Sequence, residues 1–409
     1  MGHRVEGAQL DGGRREGRLG RLRRFRRDLH RIPELDVDLF RTMAYVEGVL
    51  SGLSCELSRP APGCVCAFFD CGSPAATAIR ADMDALPITE ATGSAFSSRH
   101  AGRMHACGHD AHMAMALAAA VEVDELLSAG AAGRAKLGRS VLFVFQPAEE
   151  TTGGAATVCA SGVFERYRVD RIFGFHVWPD LPWGAVASCA GPLLARSSET
   201  HVHIEGVSTH IAKTYGVAAP ESRDAMLAAA RFVTGVRELM DRLGAEEPCL
   251  ARFGLLEAGT VCNAVAGSAH VAGSVRVFTD AMFDRARTGI RAVLDEACSS
   301  CGCAGSVEFA DGYPPVDNDP ELFALAQRAL PELERVREPL LIAEDFSFYQ
   351  RHLPGVFFLL GIGPSEEATD GGYGELGCAR APLHGDALMF DESVLVRGVD
   401  VYRRLLALP

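Results

Sequence analysis

Residues 199–205 read ETHVHIE. Val202 and Ile204 alternate with His201 and His203, the two-residue period of a strand with one buried face. Working outward, the pattern predicts a helix from about Ser222 to Leu243 and strands near Ala251–Glu257 and Ala269–Thr279. A helix from Ala281 to Cys298 follows, with Phe283, Ile290, Leu294 and Ala297 along one face, and a strand near Ser306–Phe309 closes the run. The order is βαββαβ, the split βαβ sandwich, a module of about this size.

On either side the chain changes character. Helices are predicted at Leu19–Ile32, Asp38–Leu50 and Ala114–Leu127, and short apolar strands at Cys64–Phe69, Ala76–Ala81, Val141–Phe145 and Arg171–His176. Such alternation predicts an α/β domain whose sheet is covered by helices. From Leu340 onward short buried strands and a last helix return, so the βαββαβ module reads as an insertion. The expected domains are 1–188 with 313–409, and 189–312 between them.

The 409 residues carry a formal charge of −13, which argues against nucleic-acid binding, where a clustered cationic surface is needed. Arg14, Arg15, Arg18, Arg21, Arg23, Arg24, Arg26 and Arg27 form a local exception. Leu19, Leu22, Phe25 and Leu29 put an apolar stripe through the same segment, so the arginines read as the solvated face of a first helix. No stretch approaches the ~20 apolar residues of a membrane span. Nor is there an apolar run near the N-terminus suited to a secretory signal. The expectation is a cytoplasmic protein whose 13 cysteines are reduced thiols or metal ligands. Cys298, Cys301 and Cys303 form a C-x-x-C-x-C cluster without an evident fourth ligand and read as incidental thiols.

The densest chemistry is Met104-His105-Ala106-Cys107-Gly108-His109-Asp110-Ala111-His112. In an extended segment Cys107 and His109, two apart, face one cavity, and thiolate with imidazole suits Zn²⁺ and related ions. Gln146-Pro147-Ala148-Glu149-Glu150 follows an apolar strand, so one carboxylate can meet a metal while its neighbour holds a water. Asp82-Met83-Asp84 ends another strand. His176 closes the strand Ile172–Phe175, and His384 lies in Pro382-Leu383-His384-Gly385. Taken singly, the glutamate pair, the aspartate pair and these two histidines are ordinary surface, turn or core residues.

Together they resemble the M20 metallopeptidase family. The amidohydrolase branch fits best, which includes indole-acetyl-amino-acid hydrolases, hippurate hydrolases and N-acetyldiaminopimelate deacetylases. The stretches that carry the likeness are RRDLHRIPEL, AIRADMDALPITE, GRMHACGHDAHM, VLFVFQPAEE, GFHVWPDLPWG, AEDFSFY and PLHGDALMFDE, from Arg26 to Glu392. The resemblance implies a metal-binding α/β catalytic domain with an inserted ferredoxin-like satellite through which subunits dimerise. It implies two divalent ions per subunit, Mn²⁺ or Zn²⁺ with Co²⁺ and Ni²⁺ also compatible, held by Cys107, His109, Glu150, His176 and His384. Glu149 matches the general base and Asp84 an acid that orients a ligand histidine. In the satellite, His210 matches a histidine that reaches an active site, often the partner's, while Asn263 and Arg276 match residues that hold the substrate's carbonyl and carboxylate.

One departure concerns the loop around His210. The family's glycine-glycine-histidine-alanine run is replaced by Val207-Ser208-Thr209-His210-Ile211-Ala212, and Lys213-Thr214-Tyr215-Gly216 also differs. The expected reaction is metal-dependent hydrolysis of an N-acyl-L-amino acid, a small-molecule substrate. A dipeptidase or carboxypeptidase of the same family, and a homologue that binds without catalysing, are the rivals.

Overall fold

A computed structural model describes residues 17–215, 223–363 and 381–409. Arg14, Arg15, Gly216 and the start of the helix predicted from Ser222 lie outside them. The chain runs α1 (Arg18–His30), α2 (Phe40–Leu50), β1 (Glu56–Ser58), β2 (Val65–Phe69), β3 (Ala76–Asp82), α3 (His109–Ser128), β4 (Ser140–Gln146), β5 (Val169–Pro182) and β6 (Val186–Ser188). Then come β7 (Arg196–Glu205), α4 (Ala225–Leu243), β8 (Leu250–Ala258), β9 (Ser268–Val277), α5 (Asp280–Cys301) and β10 (Ala304–Phe309). It returns with β11 (Glu334–Arg335), β12 (Gly355–Gly363) and α6 (Leu395–Leu406). It divides into two compact units, residues 1–190, 318–336 and 349–409, and residues 191–317 with 337–348.

In the first unit eight strands order as β1-β2-β4-β3-β5-β12-β6-β11. The central neighbours β4, β3, β5 and β12 are parallel. Parallel strands are buried on both faces and therefore read as unbroken apolar runs; β3, β4 and β12 are buried at every position. Helix α3 is apolar nearly all round, with His109 to Ala120 buried, the mark of a helix enclosed in a core. It packs on α1, α6 and β3.

The arginines of α1 are a correction. Only part of them is a solvated face: Arg24 is exposed, whereas Arg18 pairs with Glu122 and Asp400 at 2.6 and 2.7 Å, and Arg27 with Glu392 at 2.6 Å. Arg26 is 1% exposed, pairing with Asp110 at 3.1 Å and Glu392 at 3.2 Å beneath the Phe390 ring. Three α1 cations thus answer carboxylates carried by α3 and the C-terminal segment.

In the second unit β10-β7-β9-β8 form one antiparallel sheet, the ferredoxin-like arrangement. Strand β7 buries Ser198, Thr200, Val202 and Ile204 and turns Glu199, His201, His203 and Glu205 outward, as its two-residue period requires. Helices α4 and α5 cover the buried face with Phe232, Val236, Phe283, Ile290 and Leu294. Residues 337–348 belong to this unit, whereas the sequence reading gave them to the first. The reason is main-chain pairing, since the Ala195 N–H donates to the Leu340 and Ile342 carbonyls at 3.0 and 2.9 Å. At the end of α5, Gly302 takes φ +66° and the Cys303 N–H donates to the Cys298 carbonyl at 2.9 Å, a helix cap. Among the described residues the three nearby thiols do not assemble a group with metal-ligand spacing.

Candidate metal centre

Open parallel sheets place their sites beyond the carboxyl ends of the strands. Here β3 runs out at Asp82 towards Asp84, β4 at Gln146 towards Glu149 and Glu150, and β5 carries His176. Helix α3 begins at His109, two residues after Cys107.

The sequence reading put Cys107 and His109 on an extended segment at a strand-to-helix junction; the helix follows as expected, but the segment before it is not extended. Cys107 sits in a turn and His109 is the first residue of α3; Gly108 between them takes φ +88°. A side chain at 108 would be strained at that φ, and its Cβ would lie 2.4 Å from Val177 Cγ2. Glycine is therefore what lets the motif press against β5. Two non-glycine residues with left-handed backbone also line the centre, Ala148 at φ +57° and His384 at φ +62°. The strain is held by hydrogen bonds, since the Ala148 carbonyl accepts from Gly153 and Gly154, and the His384 N–H donates to the Ala106 carbonyl.

The five ligand candidates converge. Cys107, His109 and His176 offer donor atoms all within 4.8 Å of one another, and so do Cys107, Glu150 and His384. Cys107 is common to both groups. Glu149 joins a third with His109 and Glu150. Cys107, His109, Glu149 and His176 are buried and His384 is exposed, its Nε2 lying 3.4 Å from Glu150 Oε1.

Hydrogen bonds fix which nitrogens are available. His109 Nδ1 is 2.7 Å from the Asp84 carbonyl, and His176 Nδ1 is 2.7 Å from the Val177 carbonyl. A carbonyl only accepts, so each Nδ1 carries a proton. His176, kept neutral by burial, holds a lone pair on Nε2, and His109 offers one once a bound cation displaces its Nε2 proton. His176 Nε2 points at Cys107 Sγ, 3.3 Å away. His109 Nε2 is buried without a hydrogen-bond partner, which is costly unless something else meets it, and Glu150 Oε1 has only the longer ion-pair contacts with His384 and His109 at 3.4 and 3.8 Å.

Asp84 works through two parts. Its main-chain carbonyl takes the His109 proton, while its carboxylate accepts the main-chain N–H groups of Glu149 and Glu150 at 3.0 Å each, with Oδ1 3.7 Å from His109 Nδ1. It therefore orients both the histidine and the glutamate turn.

The electrostatics are those of a pocket short of positive charge. Burial, then Glu150 and Glu149, push the Cys107 thiol well up. For His109 burial opposes the charged form, yet Asp82, Asp84 and Glu150 push its pKa up to about 10. Burial, then His112, push His176 down to about 3, leaving it neutral. Divalent cations answer each feature. They stabilise thiolate, meet unpaired donors, and accept nitrogen, sulfur and oxygen ligands together.

Sequence reasoning assigned no role to His105 or His112. His105 is buried, and burial pushes its pKa down to about 3. His112 packs against His176 with ring centroids 4.8 Å apart; its three-residue spacing from His109 on a helix was the available signal. Of the satellite candidates, His210 and Asn263 lie on paired loops, with the Asn263 carbonyl accepting from Ile211 N–H at 3.2 Å. Arg276 lies at the far end of β9.

Comparisons with known proteins show what the chain as a whole is similar to. The sequence model of peptidase family M20/M25/M40 matches residues 78–408. An N-acetyldiaminopimelate deacetylase of Streptococcus uberis is 35% identical over 349 residues, covering 82% of this chain and 89% of its own. Another from Oceanobacillus iheyensis is 32% identical over 371 residues, covering 86% and 96%. The Bacillus subtilis YXEP protein, described as a dinuclear metal-binding peptidase from the M20 family, superposes with a TM-score of 0.79 at 28% identity, covering 95% and 98%. No helix among the described residues is long and apolar enough to cross a membrane.

Proposed function

This chain belongs to peptidase family M20/M25/M40, and from that premise we propose that it hydrolyses the amide bond of an N-acyl-L-amino acid, releasing a carboxylic acid and a free amino acid. The carrying observation is the pair of ligand groups that share Cys107 beside the buried Glu149. The name borne by the Streptococcus and Oceanobacillus relatives points to N-acyl amino-acid chemistry.

Cys107, His109, Glu150, His176 and His384 hold two divalent ions per chain, Mn²⁺ or Zn²⁺, with Co²⁺ and Ni²⁺ compatible with the same donors. When bound, such ions polarise a carbonyl and lower the pKa of water from ~15.7 towards ~7. Glu149 removes the proton of the attacking water and delivers it to the amine nitrogen as the C–N bond breaks. Asp84 holds the main chain of both glutamates, so the base is aimed before substrate arrives.

On the second unit, His210 Nδ1 accepts the Ala212 N–H at 3.2 Å. Its proton is therefore on Nε2, where it can donate to a carbonyl oxygen that gains charge. Asn263, on the paired loop, offers its amide to the same carbonyl. Arg276 is half-buried, with burial pushing its pKa down, and no carboxylate pairs with it among the described residues. It suits a two-pronged bond to the substrate's carboxylate. Arg276 lies eight residues along β9 from Ser268, beyond which Asn263 and His210 meet. At ~3.3 Å per residue that is about 26 Å, too far for one small substrate to span within a copy. The separation supports a homodimer through the second unit, two copies completing each site. The same reading places the protein in the cytoplasm, where thiols stay reduced.

The test is a panel of N-acetyl and N-benzoyl amino acids and dipeptides with added Mn²⁺ or Zn²⁺. Glu149→Gln should keep its ions and lose ~10²–10⁴ in turnover; normal turnover would remove Glu149 from its role. Cleavage of dipeptides alone would favour the peptidase reading, and no metal-dependent hydrolysis would reject an enzyme.

A further inference from the structure

We infer that His112 is a positioning residue that fixes which ring nitrogen His176 offers to the metal centre, an inference that rests on the proposed function. Its ring is fully buried between the end of β3 and the main chain of β5. Nδ1 lies 2.6 Å from Asp82 Oδ1, and the other Asp82 oxygen accepts from Arg80 Nη1 at 2.6 Å. Nε2 lies 3.0 Å from the Val177 main-chain nitrogen. That nitrogen can only donate, so Nε2 must accept and the proton must sit on Nδ1, donated to Asp82. One neutral tautomer satisfies both bonds.

Val177 is the relay. Its N–H is pinned by His112, its side chain is wedged over Gly108, and its carbonyl accepts a hydrogen bond from the His176 Nδ1–H. The result is that His176 presents the Nε2 lone pair towards Cys107. The line Arg80–Asp82–His112–Val177–His176 is buried throughout, so solvent cannot substitute for a lost link.

Asp82, His109 and His112 also lie close enough to hold an ion themselves, but lone-pair accounting argues against it. Both His112 nitrogens are in use, and both Asp82 oxygens have partners. An ion there would strip the buried Val177 N–H of its acceptor, a penalty of the kind folded proteins avoid. Only His109 Nε2 of that group lacks a partner, and it belongs to the neighbouring centre.

The test uses full-length, chelator-treated protein titrated with Co²⁺, followed by calorimetry and visible absorption. His112→Phe keeps the ring volume and removes both bonds, while His112→Gln keeps a donor and an acceptor. Loss of a hydrogen-bond partner behind a ligand typically costs ~10–100-fold in metal affinity. The expected result is that loss for one of two Co²⁺ ions in His112→Phe, with an altered absorption spectrum and partial recovery in His112→Gln. If the Phe variant does not fold, His112→Asn replaces it, being too short to reach both Asp82 and Val177. Wild-type affinity and spectrum in these variants, even with a lowered melting temperature, would overturn the inference alone. Wild-type protein that takes up no Co²⁺ would sink the functional reading and this one with it.

Discussion

His109, His112 and His176 meet in the first unit with ring centroids 4.8 to 6.1 Å apart, and His201, His203 and His270 meet in the second with His270 4.6 and 5.6 Å from its two neighbours. Spacing is similar; surroundings are not. The first trio is buried and its rings cross at 32° to 82°, so His109 and His176 can turn towards one centre while both His112 nitrogens bond behind them. The second lies on the outward face of β7 and β9 with rings parallel within 9°, and parallel stacked rings aim their nitrogens side by side. In the first trio every Nδ1 has a fixed acceptor; in the second, His201 has Glu199 at 3.3 Å and a long contact to His270. The lesson is that proximity does not make a ligand set. Orienting hydrogen bonds in a dry setting do.

The strongest way to break this contrast is His176→Ala. It should lose one tightly held ion and about a hundredfold or more of any hydrolysis, exceeding the loss expected for a residue behind a ligand. Retention of both would place the centre elsewhere. Next comes Gly108→Ala, which combines a left-handed alanine with a clash against Val177 and should cost about 2–5 kcal/mol. Gly259 also has positive φ, but its nearest Cβ contact is 3.4 Å, so Gly259→Ala should cost only the conformational part. Equal melting shifts would show that the tight approach at 108 is not needed.

A pH series sharpens the contrast further. Burial opposes charge on His30, but Asp110 and Glu90 push its pKa up to about 9, above the ordinary 6.5. A raised folded-state value means the stabilisation is complete below pH 6.5 and is lost as pH rises through about 9. The melting temperature should therefore fall across that window, and less so in His30→Gln; parallel curves would contradict it. The smallest effect belongs to the outward trio. His203→Ala combined with His270→Ala should leave tight metal binding unchanged and hydrolysis within about twofold, as for surface substitutions generally.

Periodic features were legible in the sequence. The alternation around Val202 and Ile204, and the apolar runs at Val141 and Ile172, are consequences of burial and so are written in residue type. The candidate ligands were reached by resemblance, because convergence of Cys107, Glu150, His176 and His384 depends on tertiary contacts that no local pattern encodes. Three readings went astray for identifiable reasons. A single left-handed residue, Gly108, turned an expected extended segment into a helix start. Arg26 looked solvated because its partners Asp110 and Glu392 are distant in sequence. Residues 337–348 went to the second unit through main-chain bonds, which leave no mark on residue type.

The most direct test is the number of ions bound after exhaustive dialysis against chelator and reloading with Mn²⁺ or Zn²⁺, measured by elemental analysis on wild type and Cys107→Ala. The account predicts two ions per chain in the wild type and fewer than two in the variant, whose circular dichroism stays native. A wild type that retains none, or a variant that retains both, would contradict it.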